Sequence, residues 1–309
     1  MRIITLFFII FPFMASANVL PLDDALRATY TACVGIDDEL SDLKTMAGIN
    51  TAITSVGTAA GVGATVTGLV KTNKDKQIEI KLEKLREIEQ KNPDLQSTDA
   101  EWDNFESGLT TELANAKIEV EKYQAEIEKL NKQSKKLGNW RTGLMAGATA
   151  TNVAGAIIAG TNKVDGDLKT QIDNCINNVK TLQNSIMQAR INGEDVSEAE
   201  SIASACGEYE YVDLSKINNR AKGAMISSTV GAATGLAGTV TSAMANTDKT
   251  RNDNTESGKQ KEKNLNTASN VLAGATTVAS ATATVFNATQ ISAIKKVAAV
   301  AEKCTGVLK

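Results

Sequence analysis

"TSVGTAAGVGATVTG" occupies residues 54–68, with four glycines and neither a charge nor an aromatic ring, and it lies just upstream of "KDKQIEIKLEKLREIEQK" (74–91). The second stretch reads as a solvated helix, whereas glycine, threonine and valine are by themselves weak helix formers. Their phasing resolves the contrast. Met46, Ile49, Ile53, Val56, Ala60, Gly63, Thr67 and Val70 recur at three-four spacing, and so do Gly57, Gly61, Ala64 and Gly68. One helix would therefore carry an aliphatic stripe and a small-residue stripe. Small residues at this spacing let a neighbouring backbone approach closely, and tertiary packing then offsets the poor intrinsic propensity.

The same period runs through the rest of the chain. Ala116, Val120, Tyr123, Ile127, Leu130, Ser134 and Leu137 form a coiled-coil seam, and Leu168, Ile172, Cys175, Val179, Leu182, Ile186 and Ala189 form a second. Neither alternates as a strand would, so the fold class is all-α.

The opening stretch also repeats. "VGTAAGVGATVTGL" (56–69) aligns without gaps to "VGAATGLAGTVTSA" (230–243), and "MAGATAT" (145–151) resembles "LAGATTV" (272–278). Cys33 and Cys206 precede the first and third of these segments, while Cys175 and Cys304 follow the second and fourth. Two duplicated helical hairpins are expected, 18–198 and 199–309, stacked into an elongated up-down-up-down four-helix bundle. The four small-residue segments would share one layer and the four cysteines another, about 35–42 Å away along the helices. Helix-packing positions are Gly57, Gly61, Gly68, Gly147, Gly155, Gly231, Gly235, Gly238 and Gly274. The first hairpin is longer and is expected to project as a two-helix stalk, its tip near residues 92–105, where Pro93 discourages helix and Trp102 and Phe105 are available for contact. "CGEYEYVDLS" (206–215) interrupts the third limb, reads as extended and offers Asp213 as a fresh N-cap.

Composition bounds the function. Residues 1–17 have the charged start, apolar run and small-residue exit of a secretory signal peptide, which places the mature chain in the periplasm, at the outer membrane or outside the cell. The thiols would then oxidise, with Cys33–Cys175 and Cys206–Cys304 as the preferred pairs and Cys33–Cys304 with Cys175–Cys206 as the rival. There is no histidine, which removes the commonest general base and zinc ligand, and the chain is expected to be non-catalytic, without metal or cofactor. A net charge of −3 with interspersed signs offers no nucleic-acid footprint. "DGD" (165–167) and "NDNTESG" (252–258) lack the spacing of calcium loops and read as helix breaks.

Charges are absent from residues 45–70, 142–162, 223–247 and 264–294. A water-exposed bundle needs only one apolar stripe per helix, so four uncharged bands imply that their outer faces meet something other than water. The expected function is a structural or interaction protein of the cell envelope, binding itself or another envelope protein through small-residue faces. The alternative is a membrane-embedding bundle or α-helical pore former. Its support is the bands' length and a weak lysine and arginine bias toward residues 71–141 and 248–263; their many serines and threonines argue against it.

Overall fold

The computed structural model describes residues 19–92, 111–164, 166–251, 253 and 255–308. The signal segment and the stalk-tip residues Trp102 and Phe105 lie outside the described residues. The protein is 92 % helical, with no strand among the described residues. In chain order the helices are α1 (Leu22–Cys33), α2 (Ile36–Lys91), α3 (Thr111–Thr161), α4 (Gly166–Ile191), α5 (Ser197–Gly207), a 3-10 turn (Glu208–Tyr211), α6 (Ser215–Ala245), the short α7 (Asp248–Arg251) and α8 (Glu256–Leu308).

The breaks have local causes. Gly35 adopts a φ of 89°, a left-handed conformation that L side chains disfavour, and it separates α1 from α2. Gly193, at φ 79°, turns the chain after α4. The expectation of extended chain over 206–215 is corrected: helix persists to Gly207, a 3-10 turn follows to Tyr211, and Val212 is extended, at φ −85° and ψ 125°. Burial explains the difference. The alternating Glu and Tyr serve to sink one ring, Tyr209, into the core while Tyr211 stays exposed. Asp213 then accepts a hydrogen bond from the Ser215 N–H at 3.1 Å as α6 begins.

The chain divides into two compact units, and each draws on both hairpins. Unit 1 takes the described parts of Met1–Thr45, Val164–Asn218 and Ser292–Lys309; unit 2 takes Met46–Lys163 and Asn219–Ile291.

Unit 1 has an ordinary hydrophobic core. Ile36, Leu40, Leu182, Ile202, Ile217 and Val297 are buried, and the whole seam of α4 from Leu168 to Ala189 faces inward. Charged residues such as Lys180, Arg190, Glu210 and Lys303 lie on its surface. The start of the chain is tied to α4: the Ser185 hydroxyl donates to the Leu20 carbonyl at 2.8 Å, and the Thr29 hydroxyl to the Asn178 carbonyl at 3.3 Å.

Both disulfides lie in this core. Cys33 pairs with Cys175 and Cys206 with Cys304, with Cα separations of 4.8 and 4.5 Å. They close loops of 142 and 98 residues, each worth roughly 4–5 kcal/mol in the chain-entropy account. The two bonds are also neighbours, because the sulfurs of Cys33, Cys175 and Cys304 all lie within 4.8 Å of one another. Cys304 is thus near enough to the other bridge for exchange once it is freed. Replacing Cys206 by serine is therefore expected to yield molecules in which Cys304 is joined to Cys33 or Cys175, detected by non-reducing peptide mapping. A product holding only Cys33–Cys175 and a free Cys304 would contradict this geometry.

Candidate functional site

Unit 2 is built the other way round. Four helical segments, from α2, α3, α6 and α8, meet through their smallest residues, and side-chain contacts fix their register. Thr54 and Gly57 of α2 lie opposite Gly155 and Thr151 of α3 and opposite Thr284 and Ser280 of α8. Gly231, Gly235 and Gly238 of α6 lie opposite Asn152, Thr149 and Met145 of α3. As the numbers rise on one helix they fall on its neighbour, so each adjacent pair is antiparallel. The uncharged parts of all four stand level.

The approach is close enough to require the missing side chains. A Cβ on Gly61 would lie 3.1 Å from the Thr277 Cα and 2.6 Å from its hydroxyl, and one on Gly235 would lie 3.3 Å from the Thr149 Cα. Gly57, Gly68, Gly155, Gly231 and Gly238 are similarly filled by a facing side chain. Gly147 and Gly274 differ: a Cβ at either would meet nothing within 4 Å.

With the small stripes turned inward, the interior is polar. Asn50 Nδ2 donates to Asn287 Oδ1 at 3.0 Å, and the Thr284 hydroxyl donates to that of Thr54 at 3.0 Å. One step along, Asn152 Nδ2 donates to the Ser280 hydroxyl at 2.8 Å, and the hydroxyls of Thr234 and Thr276 share a bond at 3.0 Å. Ala64, Met145 and Ala273 form a small apolar cluster, with Leu144 against it. Beyond it the buried Arg141 guanidinium donates to Ser242, Asn270 and Asn266 at 2.9, 3.0 and 2.9 Å. The band ends at the buried Lys71, whose ammonium lies 2.6 Å from Asp75 and 3.5 Å from Glu262. Asp75 also accepts from Ser134.

The large aliphatic side chains point outward. Val56, Val62, Val66 and Leu69 of α2 are exposed, as are Val153 and Ile157 of α3, Ile226, Val230, Leu236 and Val240 of α6, and Val271, Val278 and Val285 of α8. Of the two stripes on residues 46–70, the glycine stripe is the core, while the aliphatic stripe runs from half-buried at Ile53, Ala60, Gly63 and Thr67 to exposed at Met46, Ile49, Val56 and Val70. The outward hydroxyls are satisfied within their own helices: Ser55 donates to the Thr51 carbonyl at 2.7 Å, Thr229 to Met225 at 2.8 Å and Thr282 to Val278 at 2.8 Å. Such i−4 bonds leave the hydroxyl proton with no need of water. Three helical stretches, Leu22–Lys91, Ala114–Ile191 and Glu256–Leu308, contain windows long and apolar enough to cross a membrane, with mean hydropathy 1.4, 1.3 and 1.2 and only 28, 28 and 33 % of each window buried.

Past the uncharged band, α2 and α3 continue as an antiparallel pair, joined by a Lys81–Glu126 ion pair, with Lys81 5.4 Å from the centre of the Tyr123 ring. From Asp75 to Lys91 this extension is about 24 Å long.

Among the described residues, the cluster with metal-ligand geometry is Cys33, Cys175 and Cys304, whose sulfurs are held in disulfides. An open groove in unit 1, lined by Arg27, Ala28, Thr31, Ala32, Gln171 and Asn174, brings no buried reactive group together. Comparison with protein-family models, with curated proteins and with solved structures returned no match.

Two predictions follow from the core. Gly61→Val should destabilise the protein by about 2 kcal/mol through overpacking, while Gly147→Ala should stabilise it by up to about 1 kcal/mol through helix propensity; denaturant unfolding of both variants measures the contrast. Burial raises the Glu262 carboxyl above its ordinary value of 4.5, with Lys71 opposing in part. A raised folded value means that Glu262 contributes stability below its ordinary value, and that this contribution is lost as pH rises through the raised one. As pH rises above the ordinary value of 4.5, the melting midpoint of the natural protein should fall relative to that of Glu262→Gln; parallel curves would refute this assignment.

Proposed function

We propose that the protein is a non-catalytic, integral component of a cell-envelope membrane, in which the four uncharged segments of unit 2 cross the lipid bilayer as one helical bundle. The observation that carries this reading is the inverted distribution of side chains: amides, hydroxyls and glycines inside, valine, isoleucine and leucine outside. In water that arrangement would expose the apolar surface and gain little from an interior whose apolar content is mainly alanine and Met145. In hydrocarbon the outer face is solvated, and packing of small residues with interhelical hydrogen bonds holds the helices together. From Asn50 to Lys71 is roughly 32 Å of helix, close to the ~30 Å thickness of a hydrocarbon core. The internally bonded hydroxyls meet the requirement that polar groups in lipid find partners within the protein. They also answer the compositional objection raised by the serine and threonine content.

Crossing four times places the residues before 46, between 163 and 219, and after 291 on one side, and the residues of 71–141 and 248–263 on the other. The disulfides suit an oxidising compartment, reached through residues 1–17 acting as a signal sequence. The second group, with the denser lysine and arginine, suits the cytoplasmic side. Small-residue faces act within the chain in this reading, so self-assembly through the glycines, the role expected from sequence, has few of those surfaces left to use.

Alkaline carbonate extraction of membranes from cells producing the full chain tests the proposal. The protein should stay in the pellet and be released only by detergent. Release by carbonate as a particle of one chain, soluble without detergent, would overturn it; release as a large detergent-free particle would instead favour copies packing through the aliphatic belt.

A further inference from the structure

Resting on the membrane reading, we infer that the end of unit 2 around Asp75 is a docking surface for anionic phospholipid headgroups, formed by a collar of lysines with Trp140 set nearer the apolar belt.

The register places the collar. Lys71 bridges Asp75 of α2 and Glu262 of α8, Asp75 accepts from Ser134 of α3, and Arg251 of α7 donates to the Asn131 carbonyl of α3 at 3.1 Å. Lys76, Lys136, Lys249 and Lys263 therefore come from four neighbouring elements at one level, and all four are exposed. Among the described residues none of them has a carboxylate oxygen within 4.0 Å, so their charges are not consumed inside the protein. Lys135, on the same level, is held by Asp248 at 2.8 Å. Residues 129–141 carry four lysines, one arginine and no acid.

Trp140 fixes the depth. It is 60 % exposed and lies one helical turn, about 6 Å, from Lys136 toward the uncharged band. An aromatic ring at the edge of the hydrocarbon with lysines one turn farther out is the order in which a bilayer presents its interface and its phosphates. Flexible ammonium groups take phosphate as point charges, so the collar selects on charge, and its attraction weakens with salt.

The chain contains two tryptophans, so Trp102→Phe leaves Trp140 as the sole reporter. This variant, reconstituted in phosphatidylcholine vesicles, is compared with a trace of either phosphatidylglycerol or phosphatidylcholine bearing a nitroxide near the headgroup. At low salt the anionic lipid should quench Trp140 at least about twofold more strongly than the zwitterionic one, and the excess should shrink as salt rises to about 0.5 M. The excess should also disappear when Lys76, Lys136, Lys249 and Lys263 are all changed to glutamine, a surface change checked for helicity by circular dichroism. Equal quenching by the two lipids would overturn the collar and leave the membrane reading standing. An excess that survives the four substitutions would overturn the assignment to these lysines. Absence of quenching by either lipid would overturn both readings.

Discussion

The closest constraint in this protein is the distance between backbones. Where Gly61 meets Thr277 and Gly235 meets Thr149, there is no room for a methyl group. Four helices held that near to one another cannot place leucine or valine on their shared axis, so the bulky side chains turn outward by exclusion. Everything distinctive about unit 2 derives from this: the aliphatic exterior, the amide and hydroxyl interior, and the dependence of cohesion on hydrogen bonds and contact area. Unit 1 lacks such a constraint, and there Ile36, Leu182, Ile202 and Val297 fill the core in the ordinary way.

Much of this was legible in the residues. Helical period and the matched order of small segments and cysteines point to the all-α class and to four uncharged bands at one level, and they favour Cys33–Cys175 and Cys206–Cys304 while leaving Cys33–Cys304 with Cys175–Cys206 open until the structure decides. Periodicity separates two stripes on residues 46–70 but does not say which is buried, since either would make an amphipathic helix. Side-chain volume decides that, and volume acts only once a neighbour arrives. For the same reason Gly147 and Gly274 look like packing positions in the sequence yet face open space. The break at Gly35 left no distinctive signal beyond a single glycine, and the 3-10 turn at Glu208–Tyr211 depends on a core that receives only one of two tyrosines.

Polar side chains in the bundle differ in what they cost. Asn50 with Asn287 and Asn152 with Ser280 are neutral pairs matched across helices, so they specify register at little penalty, although Asn50 Oδ1 and the Ser228 hydroxyl are buried without a partner among the described residues. Arg141 and Lys71 are charged and buried, and both stand at the margin of the uncharged band, where their partners are two asparagines and a serine in one case and two carboxylates in the other. Charge at that level locks the helices axially, because sliding one by a turn would strand an ammonium or guanidinium without acceptors.

The glycine-lined interior also sets how the sequence can drift. On the outer face Val56, Val153, Leu236 and Val278 meet no tightly packed neighbour within the chain, so valine, isoleucine and leucine are interchangeable there as far as the fold is concerned. At Gly61 or Gly235 a single added carbon crowds a facing main chain, and loss of the Asn287 amide strands that of Asn50. The letters that specify this architecture are therefore its smallest and most polar ones, and its greasy residues, which in most proteins carry the fold, are free to wander.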